Sequence, residues 1–322
     1  MKAIVGDRYG SPDILRLEEI EKPDLTEDSV LVRVRAASLN AFDWHMMRGD
    51  PYVVRAVAGL RKPKRTTAGV DFAGTVEAVG SNVTEFQPGD EVFGERSGAF
   101  AEFVDANVAS IAMKPVNLSF EQAAAVPMAG FTALQALRDK GQLKAGQQVL
   151  VNGAAGGVGT FAVQLAKAFG AEVTGVCSTA HVEMVRSIGA DRVIDYTRED
   201  FTKSGQQFDL IIDIAGSRSL LNCRRALRPD GALVAVGGPV GRWVGPFTGP
   251  LSAAILSRFV SQRFLSFLAR RSKDDLIVLK DLIEAGAVTP VIDRTYPLSE
   301  TAEAMRYVER GHAGGKVVLA IG

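Results

Sequence analysis

The residues with the clearest chemical signature in this chain are the small ones between Asn152 and Gly159. They form the pattern Ala154-x-Gly156-x-x-Gly159, a dinucleotide-binding turn with alanine in the first glycine position. Small side chains let backbone N–H groups approach a pyrophosphate closely, and a helix that begins at such a turn directs its positive end at the same charge. The residues predicted to contact the diphosphate are those of the turn: Ala154, Ala155, Gly156, Gly157, Val158 and Gly159.

A strand and a helix are predicted to hold this turn in place. Val149–Val151 is a short apolar run, which is typical of a buried parallel strand. After the turn, Phe161, Leu165 and Phe169 recur every four positions, as on one face of a helix. An isolated glycine pattern is weak evidence, but a strand, a turn and a helix in immediate succession are the context that the motif requires.

The chain continues to alternate between strand and helix after this turn. The predicted elements are Val173–Cys177, Val182–Ile188, Arg192–Ile194, Leu210–Ile214, Leu220–Leu227 and Ala232–Val236. Such alternation indicates a doubly wound parallel sheet, which binds ligands at the carboxyl ends of its strands. The backbone at Ala215 and at Gly237 follows two of these strands, so both residues are predicted to lie on the nicotinamide side of a bound dinucleotide.

The first hundred residues have a different pattern, in which short strands are separated by Gly, Pro, Asp and Asn. The predicted strands are Lys2–Val5, Leu15–Ile20, Val30–Ala36, Val70–Val79, Glu91–Gly94 and Phe100–Val104. This density of short strands favours a barrel-like β domain, and helices are predicted only after Pro115.

The last part of the chain combines helices with one strand. Ser252–Leu268 is ambiguous and could be helical. Asp274–Ala285 and Glu300–Glu309 are predicted helices with a capping residue ahead of each, and Lys316–Ile321 is a predicted strand. The order is therefore a β-rich start, an α/β middle and a mixed end.

Composition excludes several classes of partner. The chain has 322 residues, and 37 Lys and Arg balance 37 Asp and Glu, which argues against nucleic acid or an anionic membrane as the main partner. Cys177 and Cys223 have neither CxxC spacing nor ligand-like spacing to a histidine, so a reducing compartment is expected. Arg258, Gln262 and Arg263 interrupt the one long apolar stretch, and the N-terminus does not resemble a signal peptide. We expect a cytoplasmic protein without a membrane span.

Several ordered motifs together resemble the medium-chain dehydrogenase/reductase superfamily, and within it the zinc-free quinone oxidoreductase branch. They are Asn152–Gly159, Leu165–Gly170, Gly189–Asp191, Val193–Tyr196 and Gly315–Val318. The resemblance implies an α/β protein with a GroES-like β-rich catalytic domain over residues 1–125, to which the chain returns over 266–322. A Rossmann domain with a doubly wound parallel sheet, which binds NADP, is expected over 126–265. The resemblance also implies a homodimer.

Because of this resemblance, the presence of a zinc site can be judged from the residue types at the ligand positions. Zinc-dependent relatives carry a catalytic cysteine where this chain has Asn40, and a histidine where it has Val70. No cysteine lobe follows Gly89-Asp90, so no metal site is expected. Without a Lewis acid, the favoured reaction is hydride transfer to an acceptor that is already electrophilic, namely a quinone or an α,β-unsaturated carbonyl.

The tip of the second predicted parallel strand indicates the cofactor. NAD-preferring sheets usually place a carboxylate about 20 residues beyond the glycine turn, and here the strand tip has none. Ser178 and Thr179 could donate to a 2′-phosphate, and Tyr196 resembles the tyrosine on the phosphate side in relatives. His181 lies where relatives commonly have lysine, or it simply begins an exposed helix. We infer NADPH.

The resemblance assigns further residues to the nicotinamide half of the cofactor. Asn40 and Asp43 match an Asn-x-x-Asp motif, in which Asn40 is expected beside the nicotinamide and Asp43 is expected to cap a turn or helix. Thr132 resembles a hinge residue that approaches the cofactor, with an ordinary helix start as the alternative. Lys316 resembles a basic residue that reaches the cofactor from the last strand, with a solvated strand end as the alternative.

Candidates for the chemical step are fewer. Asn40 is one, and Tyr52 is the other, because related enoyl-thioester reductases use a tyrosine near this position as proton donor; Tyr52 is one position off that spacing and could be a packed loop aromatic. His45 is interpreted as a solvated helical histidine. Trp243 and Phe264 could line an acceptor pocket, although packing is the more ordinary role for such residues.

The sequence thus predicts an NADPH-dependent, zinc-free oxidoreductase that acts on a small quinone or enone. Two alternatives stay open. One is a 2-enoyl thioester reductase, which would need a basic groove for a carrier and a tyrosine donor. The other is a catalytically silent NADP-binding sensor or scaffold.

Overall fold

The structure, a computed structural model, describes residues 1–64, 66–236 and 261–322. The chain divides into two units. The first unit contains Met1–Phe131, Arg271–Gly286 and Pro290–Gly322, and the second contains Thr132–Arg270 and Ala287–Thr289. Within the described residues, no helix combines the length and the apolar character that crossing a bilayer requires.

The first unit is built around a mainly antiparallel sheet. Its strands are β1 (Lys2–Val5), β2 (Arg16–Glu19), β3 (Ser29–Leu39), β4 (Asp71–Val79), β5 (Glu91–Glu95), β6 (Phe103–Asn107), β7 (Ile111–Met113), β14 (Ile292–Pro297) and β15 (Lys316–Ala320). The main sheet has the order β14-β15-β3-β4-β5-β7, with β6 also paired to β3, while β1 and β2 form a separate hairpin. The eleven-residue strand β3 thus has β15, β4 and β6 as partners, and it brings the start and the end of the chain into one sheet.

The second unit contains the parallel sheet that the sequence predicts. Its strands are β8 (Gln148–Asn152), β9 (Glu172–Cys177), β10 (Arg192–Asp195), β11 (Phe208–Asp213), β12 (Leu227–Ala235) and β13 (Arg263–Ser266). They lie in the order β10-β9-β8-β11-β12-β13, and all neighbours are parallel. This is the strand order of a Rossmann sheet, whose direction of winding reverses between β8 and β11. The predicted fold class is confirmed.

The helices of the two units complete the description. They are α1 (Ala41–Arg48), α2 (Val53–Ala58), α3 (Phe120–Ala124), α4 (Pro127–Gln135), α5 (Gly157–Ala168), α6 (Val182–Ser187), α7 (Leu220–Arg225), α8 (Lys273–Glu284) and α9 (Thr301–Glu309). A π-helical turn, Ala136–Lys140, continues α4. The face of α5 that carries Phe161 and Leu165 is fully buried, as its apolar periodicity predicts.

Two helices occur where the sequence predicts none. Both α1 and α2 precede Pro115, so the expectation that helices begin only after that residue was wrong. Helix α1 has eight residues, which is too short for a convincing apolar period, and its caps identify it instead. The Asp43 carboxylate accepts from the backbone N–H of Asn40 at 2.8 Å, and Gly49 ends the helix in the left-handed region at φ 59°. The capping role predicted for Asp43 is confirmed.

Strand bounds differ from the predicted ones in the late part of the chain. Arg263–Ser266 is the edge strand β13, so the described end of the stretch proposed as helical is extended. Pairing with β12 buries Phe264, which packs in the core of the second unit, in its more ordinary role. Strand β14 had no counterpart among the predictions, because it is a half-exposed edge strand without a clear alternation. Trp243 and Gly237 lie outside the described residues.

Candidate active site

The glycine turn joins β8 to α5 and is anchored to the neighbouring strand. The N–H groups of Gly153 and Ala154 both donate to the carbonyl of Val176 in β9, at 3.1 and 2.9 Å. Gly156 is the N-cap of α5, so the helix begins with Gly157 and Val158. The first N–H groups of a helix have no carbonyl one turn earlier to bond. They are therefore available to an anionic group such as a diphosphate.

The small residues of the turn serve different purposes. A Cβ on Gly159 would lie inside van der Waals contact with the carbonyl of Gly153 and 2.8 Å from Cα of Ala154, so this glycine permits close packing of helix on turn. A Cβ on Gly156 would have the Gly153 oxygen, at 3.6 Å, as its nearest neighbour. That position is open in the folded chain, so packing within the described residues does not require a glycine there.

Alanine at the first position of the motif has its own compensation. Ala154 is fully buried, and a Cβ on Gly175 of β9 would come within 3.1 Å of the Ala154 methyl group and 2.6 Å of Val185. The turn has alanine at position 154 where the motif has glycine, and the lack of a side chain on Gly175 leaves room for the Ala154 methyl group. Sequence reasoning did not identify this pairing, because the two residues are 21 positions apart.

The point at which the sheet reverses direction holds a buried polar pair. The Asn152 amide donates to the Asp213 carboxylate at 2.8 Å, and both side chains are buried. Burial raises the pKa of Asp213, while the Asn152 hydrogen bond acts against that shift. The N–H of Ala215 donates to the Asn152 carbonyl at 3.2 Å, which places Ala215 directly against the glycine turn. Gly237, predicted beside it, is outside the described residues.

Three predicted residues come together at the tips of β9 and β10. The N–H of Tyr196 donates to the carbonyl of Cys177, and the N–H of His181 donates to that of Ser178, both at 3.0 Å. The Tyr196 side chain is half exposed. Among the described residues, the Ser178 hydroxyl forms no hydrogen bond. Ser178 and Tyr196 thus offer hydroxyl groups at one edge of the sheet.

One acid at this edge was not assigned by sequence reasoning. The Asp195 carboxylate, at the end of β10, accepts from the Thr179 hydroxyl at 2.5 Å and from the Thr197 hydroxyl at 2.7 Å. The Thr179 hydrogen bond is the main cause of a lowered pKa at Asp195. Thr179 was expected to face a phosphate, but its hydroxyl is already engaged. The signal was present in the motif Val193–Tyr196, whose acidic residue had been given no role.

A buried polar cluster lies in the first unit, at the ends of β3, β4 and β15. Lys316 Nζ donates to Asn40 Oδ1 at 2.5 Å and to the Leu39 carbonyl at 3.2 Å, and it lies 3.7 Å from Asp71 Oδ2. Asn40 Nδ2 donates to the same Asp71 oxygen at 3.0 Å. The solvated strand end that was an alternative for Lys316 is wrong, since the residue is 3% exposed. Asp71 was missed because an acid at a strand start has no motif of its own.

Two more carboxyl groups extend this cluster. Glu95 is the cross-strand partner of Asp71, and its carboxylate pairs with Arg271 at 3.2 Å. Burial, reinforced by Asp71, raises the pKa of Glu95 to about 7. Burial, again reinforced by Asp71, raises the pKa of Asp43 to about 8. Burial also raises the pKa of Asp71 and lowers that of Lys316, while the attraction between these two groups opposes both shifts.

An apolar cavity of about 260 Å³ lies within the first unit. Its wall includes Phe42, Asp43 and Met46 from α1, Val70, and the cationic residues Arg8 and Lys64. Of the three buried acidic residues Asp43, Asp71 and Glu95, Asp43 is the one among the described residues that line the cavity. The cavity could hold a small, mainly apolar molecule.

Tyr52, His45 and Thr132 are the remaining candidates. Tyr52 precedes α2 with the Arg55 guanidinium 4.7 Å from its ring centre, and it is not among the described residues that line the cavity. His45 lies in α1, where Nδ1 is 2.6 Å from the Asp50 carbonyl oxygen. Thr132 is partly buried in α4. Within residues 1–64, 66–236 and 261–322, no three His, Cys, Asp or Glu side chains are arranged to hold a metal ion.

Comparison with known proteins gives two family matches. Residues 26–116 match the alcohol dehydrogenase GroES-like domain, and residues 188–319 match the zinc-binding dehydrogenase family. The first match lies within the β-rich part of the chain. The second begins just after α6 and ends within β15.

Individual relatives match along the whole chain. The chain is 35% identical to the mitochondrial NAD(P)H oxidoreductase RTN4IP1 of Mus musculus, covering 100% of this chain and 89% of the relative. It is 36% identical to the 2-methylene-furan-3-one reductase of Solanum lycopersicum, covering 99% and 79%. Among solved structures, the Escherichia coli quinone oxidoreductase complexed with NADPH matches with a TM-score of 0.85 and 26% identity, covering 100% of both chains.

The two glycines of the turn provide a first prediction. Gly159→Ala should lower the free energy of unfolding by about 1–3 kcal/mol, because the new methyl group overlaps the Gly153 carbonyl. Gly156→Ala, its matched control, should change stability by less than about 1 kcal/mol yet weaken NADPH binding by about tenfold or more. Urea unfolding and fluorescence titration measure the two effects. Equal NADPH affinity in Gly156→Ala and the wild type would contradict the assignment of the turn.

The buried lysine provides a second prediction. Lys316→Met should cost about 3–5 kcal/mol at pH ~8, because it leaves the Asp71 carboxylate buried without its cation. The loss should shrink as the pH is lowered toward ~5, because burial raises the pKa of Asp71 and so favours its uncharged form as the pH falls. Lys167→Met is the control, because it removes an exposed pair with Asp191 worth about 0–1 kcal/mol. Urea unfolding at both pH values tests this, and equal losses in the two variants at pH ~8 would refute it.

Proposed function

The chain belongs to the medium-chain dehydrogenase/reductase superfamily, and within it we propose a zinc-free, NADPH-dependent oxidoreductase that transfers a hydride to a quinone or an α,β-unsaturated carbonyl. The observation that carries this proposal is the identity of the residues around the cavity and the buried cluster. Asn40 is hydrogen-bonded to Lys316 and Asp71, and Val70 is an apolar wall residue. An amide engaged at both ends and a valine side chain are not zinc ligands.

The relatives support a nicotinamide-dependent oxidoreductase, and the names of some of them also agree with a quinone or enone as the acceptor. The tomato relative is named for reduction of a methylene-furanone, and the Escherichia coli structure is named as a quinone oxidoreductase. Both kinds of acceptor are electrophilic before the enzyme acts on them, so neither needs a metal to polarise a carbonyl. The apolar wall of the cavity suits the carbon skeleton of such a molecule.

The second unit supplies the cofactor-binding groups in this proposal. The N–H groups at the start of α5 bind the diphosphate, and Ser178, Tyr196 and His181 bind the 2′-phosphate side. Ala215 contributes backbone beside the nicotinamide half. The Asp195 carboxylate lies at the same edge of the sheet and accepts from the hydroxyls of Thr179 and Thr197.

The first unit orients the reacting groups. Bound NADPH supplies the hydride. The Lys316 ammonium fixes the Asn40 amide, with its oxygen toward the lysine and its nitrogen toward Asp71, so that both side chains are held in one orientation. The apolar wall of the cavity excludes water from the acceptor, which strengthens hydrogen bonds to the oxyanion that forms. Thr132 and Tyr52 stay predictions, as do the homodimer, the domain bounds and the cytoplasmic location.

Cofactor choice tests the proposal at the strand tip. Ser178→Asp should lower the preference for NADPH over NADH by about 10- to 100-fold, because the new carboxylate repels the 2′-phosphate. Ser187→Asp adds the same charge at an exposed position in α6 and should leave the preference unchanged. The ratio of kcat/KM for the two cofactors measures the effect. A wild type that prefers NADH would overturn the assignment of Ser178 and His181.

The acceptor panel separates the enzyme from a silent sensor. Wild-type protein with NADPH should show loss of dihydronicotinamide absorbance with 1,4-benzoquinone, 2-methyl-1,4-naphthoquinone, 2-cyclohexen-1-one or trans-2-hexenal. Tight NADPH binding without absorbance loss on any of them would remove the proposed activity and leave the sensor.

A second candidate, a 2-enoyl thioester reductase, is favoured by one observation. The segment 60–64 carries Arg61, Lys62 and Lys64 on exposed positions beside an exposed Leu60, and Lys64 reaches the cavity wall. Within the described residues, none of these three cations forms an ion pair with a carboxylate. Exposed cations, one of them on the wall of an apolar cavity, are what an acceptor with a phosphorylated carrier would require.

This candidate is tested with crotonyl-CoA as the acceptor. If a thioester is the substrate, the double variant Arg61→Ala/Lys62→Ala should raise KM for crotonyl-CoA by about tenfold and leave KM for 2-cyclohexen-1-one unchanged. The control Lys203→Ala/Arg225→Ala removes two exposed cations of the second unit and should affect neither. If the wild-type protein does not reduce crotonyl-CoA, the hypothesis of a 2-enoyl thioester reductase is excluded.

A further inference from the structure

Reduction of a quinone or an enone needs a proton as well as a hydride, and the source of that proton is the question the cavity raises. Tyr52, the donor suggested by resemblance, is not among the described cavity residues. Asp43 is, and it shares the wall with Phe42 and Met46 from the same helix. Of the three carboxyl residues of the first unit's buried cluster, it is the one among the described lining residues of the cavity.

Acidic groups outnumber cations in this buried cluster. Asp43, Asp71 and Glu95 are three carboxyl groups, each at most 6% exposed. Two cations face them, Lys316 and Arg271. A buried carboxylate without a cation is costly, so three carboxyls and two cations reach neutrality when one carboxyl is protonated.

The hydrogen bonds and ion pairs identify the carboxyls whose ionised form is best stabilised. Asp71 accepts from the Asn40 amide at 3.0 Å and from the Ser38 hydroxyl and the Met128 N–H at 3.3 Å, besides its proximity to Lys316. Glu95 has the Arg271 guanidinium at 3.2 Å. Both carboxylates are thus compensated by a cation of their own.

Asp43 has the weakest compensation of the three. Its Oδ2 accepts the backbone N–H of Asn40 at 2.8 Å, and this bond, the Lys316 charge and the Asn40 side chain together lower its pKa by less than burial and Asp71 raise it. The other cations of the neighbouring elements have their own partners: Arg48 pairs with Glu309 of α9, and Arg55 of α2 lies over the ring of Tyr9. Arg8 and Lys64 line the cavity at its surface, and His45 faces the Asp50 carbonyl. The retained proton therefore lies on Asp43.

We propose that Asp43 is the general acid of this enzyme, giving its proton to the carbonyl oxygen of an acceptor bound in the cavity. The inference rests on the proposed function. On an enone, the hydride from NADPH forms a C–H bond at the β carbon and the π electrons move to the oxygen. The O–H bond of Asp43 breaks as its proton bonds to that oxygen. NADPH is oxidised, the acceptor is reduced by two electrons, and the Asp43 carboxylate regains a proton from water.

A protonated Asp43 carboxyl also makes the turnover rate depend on pH. The raised pKa of Asp43, about 8, leaves the acid form in place at neutral pH. Turnover should therefore hold a plateau below pH ~8 and fall as pH rises through that value, since the proton is then missing before each cycle.

The test compares Asp43→Asn with Asp274→Asn, using 2-cyclohexen-1-one and 1,4-benzoquinone as acceptors. Asparagine keeps an oxygen to accept from the Asn40 N–H, so α1 retains its cap. Asp274, in the first turn of α8, is exposed and serves as a control for removing an acid near a helix start. We expect Asp43→Asn to lower kcat by about 100-fold or more, with an unchanged Kd for NADPH and loss of both the alkaline limb and the solvent deuterium isotope effect.

Each outcome decides one claim. If Asp43→Asn keeps the kcat and pH profile of Asp274→Asn, Asp43 only caps α1 and the inference falls while the proposed function stands. If Asp43→Asn fails to fold, the wild type alone decides: a kcat that does not fall above pH ~8 overturns the inference. No NADPH oxidation by the wild type with any acceptor would remove the proposed function itself.

Discussion

The buried ammonium group of Lys316 holds the polar side chains in the interior of the first unit in place. Lys316 Nζ is held by the Asn40 oxygen and the Leu39 carbonyl, close to the Asp71 carboxylate, on a side chain that is 3% exposed. Burial lowers the pKa of this lysine, and its charge persists only because acceptors surround it. The same charge sets the orientation of the Asn40 amide and joins β15 to the starts of α1 and β4. The polar groups beside the cavity therefore depend on a strand that follows the entire second unit in the chain.

Steric fit positions the helix and the glycine turn of the second unit, whereas buried charges position the polar side chains of the first unit. Gly159 lets α5 pack against the turn, and Gly175 makes room for the methyl group of Ala154. Neither effect involves a polar contact. The first N–H groups of α5 have no carbonyl one turn earlier to which they can donate, so they are available to an anionic group. Gly156, in contrast to Gly159, has open space around it.

The sequence predicts much of the fold and the second unit's site, but little of the buried cluster. The Rossmann sheet follows from apolar periodicity and alternation, which are local, and the glycine turn is a local pattern too. Helix α1 escaped prediction because its eight residues are defined by caps and not by periodicity. Asp71 and Glu95 escaped because their importance comes from cross-strand pairing and from a lysine more than 200 positions away, neither of which single-sequence patterns contain. Asp43 was placed correctly as a cap, while its position on a cavity wall depends on tertiary packing.

The pairing of β15 with β3 has a consequence for how the protein is made. Asn40 and Lys316 are 276 residues apart, and the whole second unit is synthesised between them. The carboxyl groups of Asp43 and Asp71 thus leave the ribosome long before their cation does. Until β15 adds to the sheet, the ionised form of these acids lacks the cation that offsets the cost of burial, which disfavours closure of the nascent first unit. The second unit, almost continuous in sequence, faces no such wait and is free to fold first.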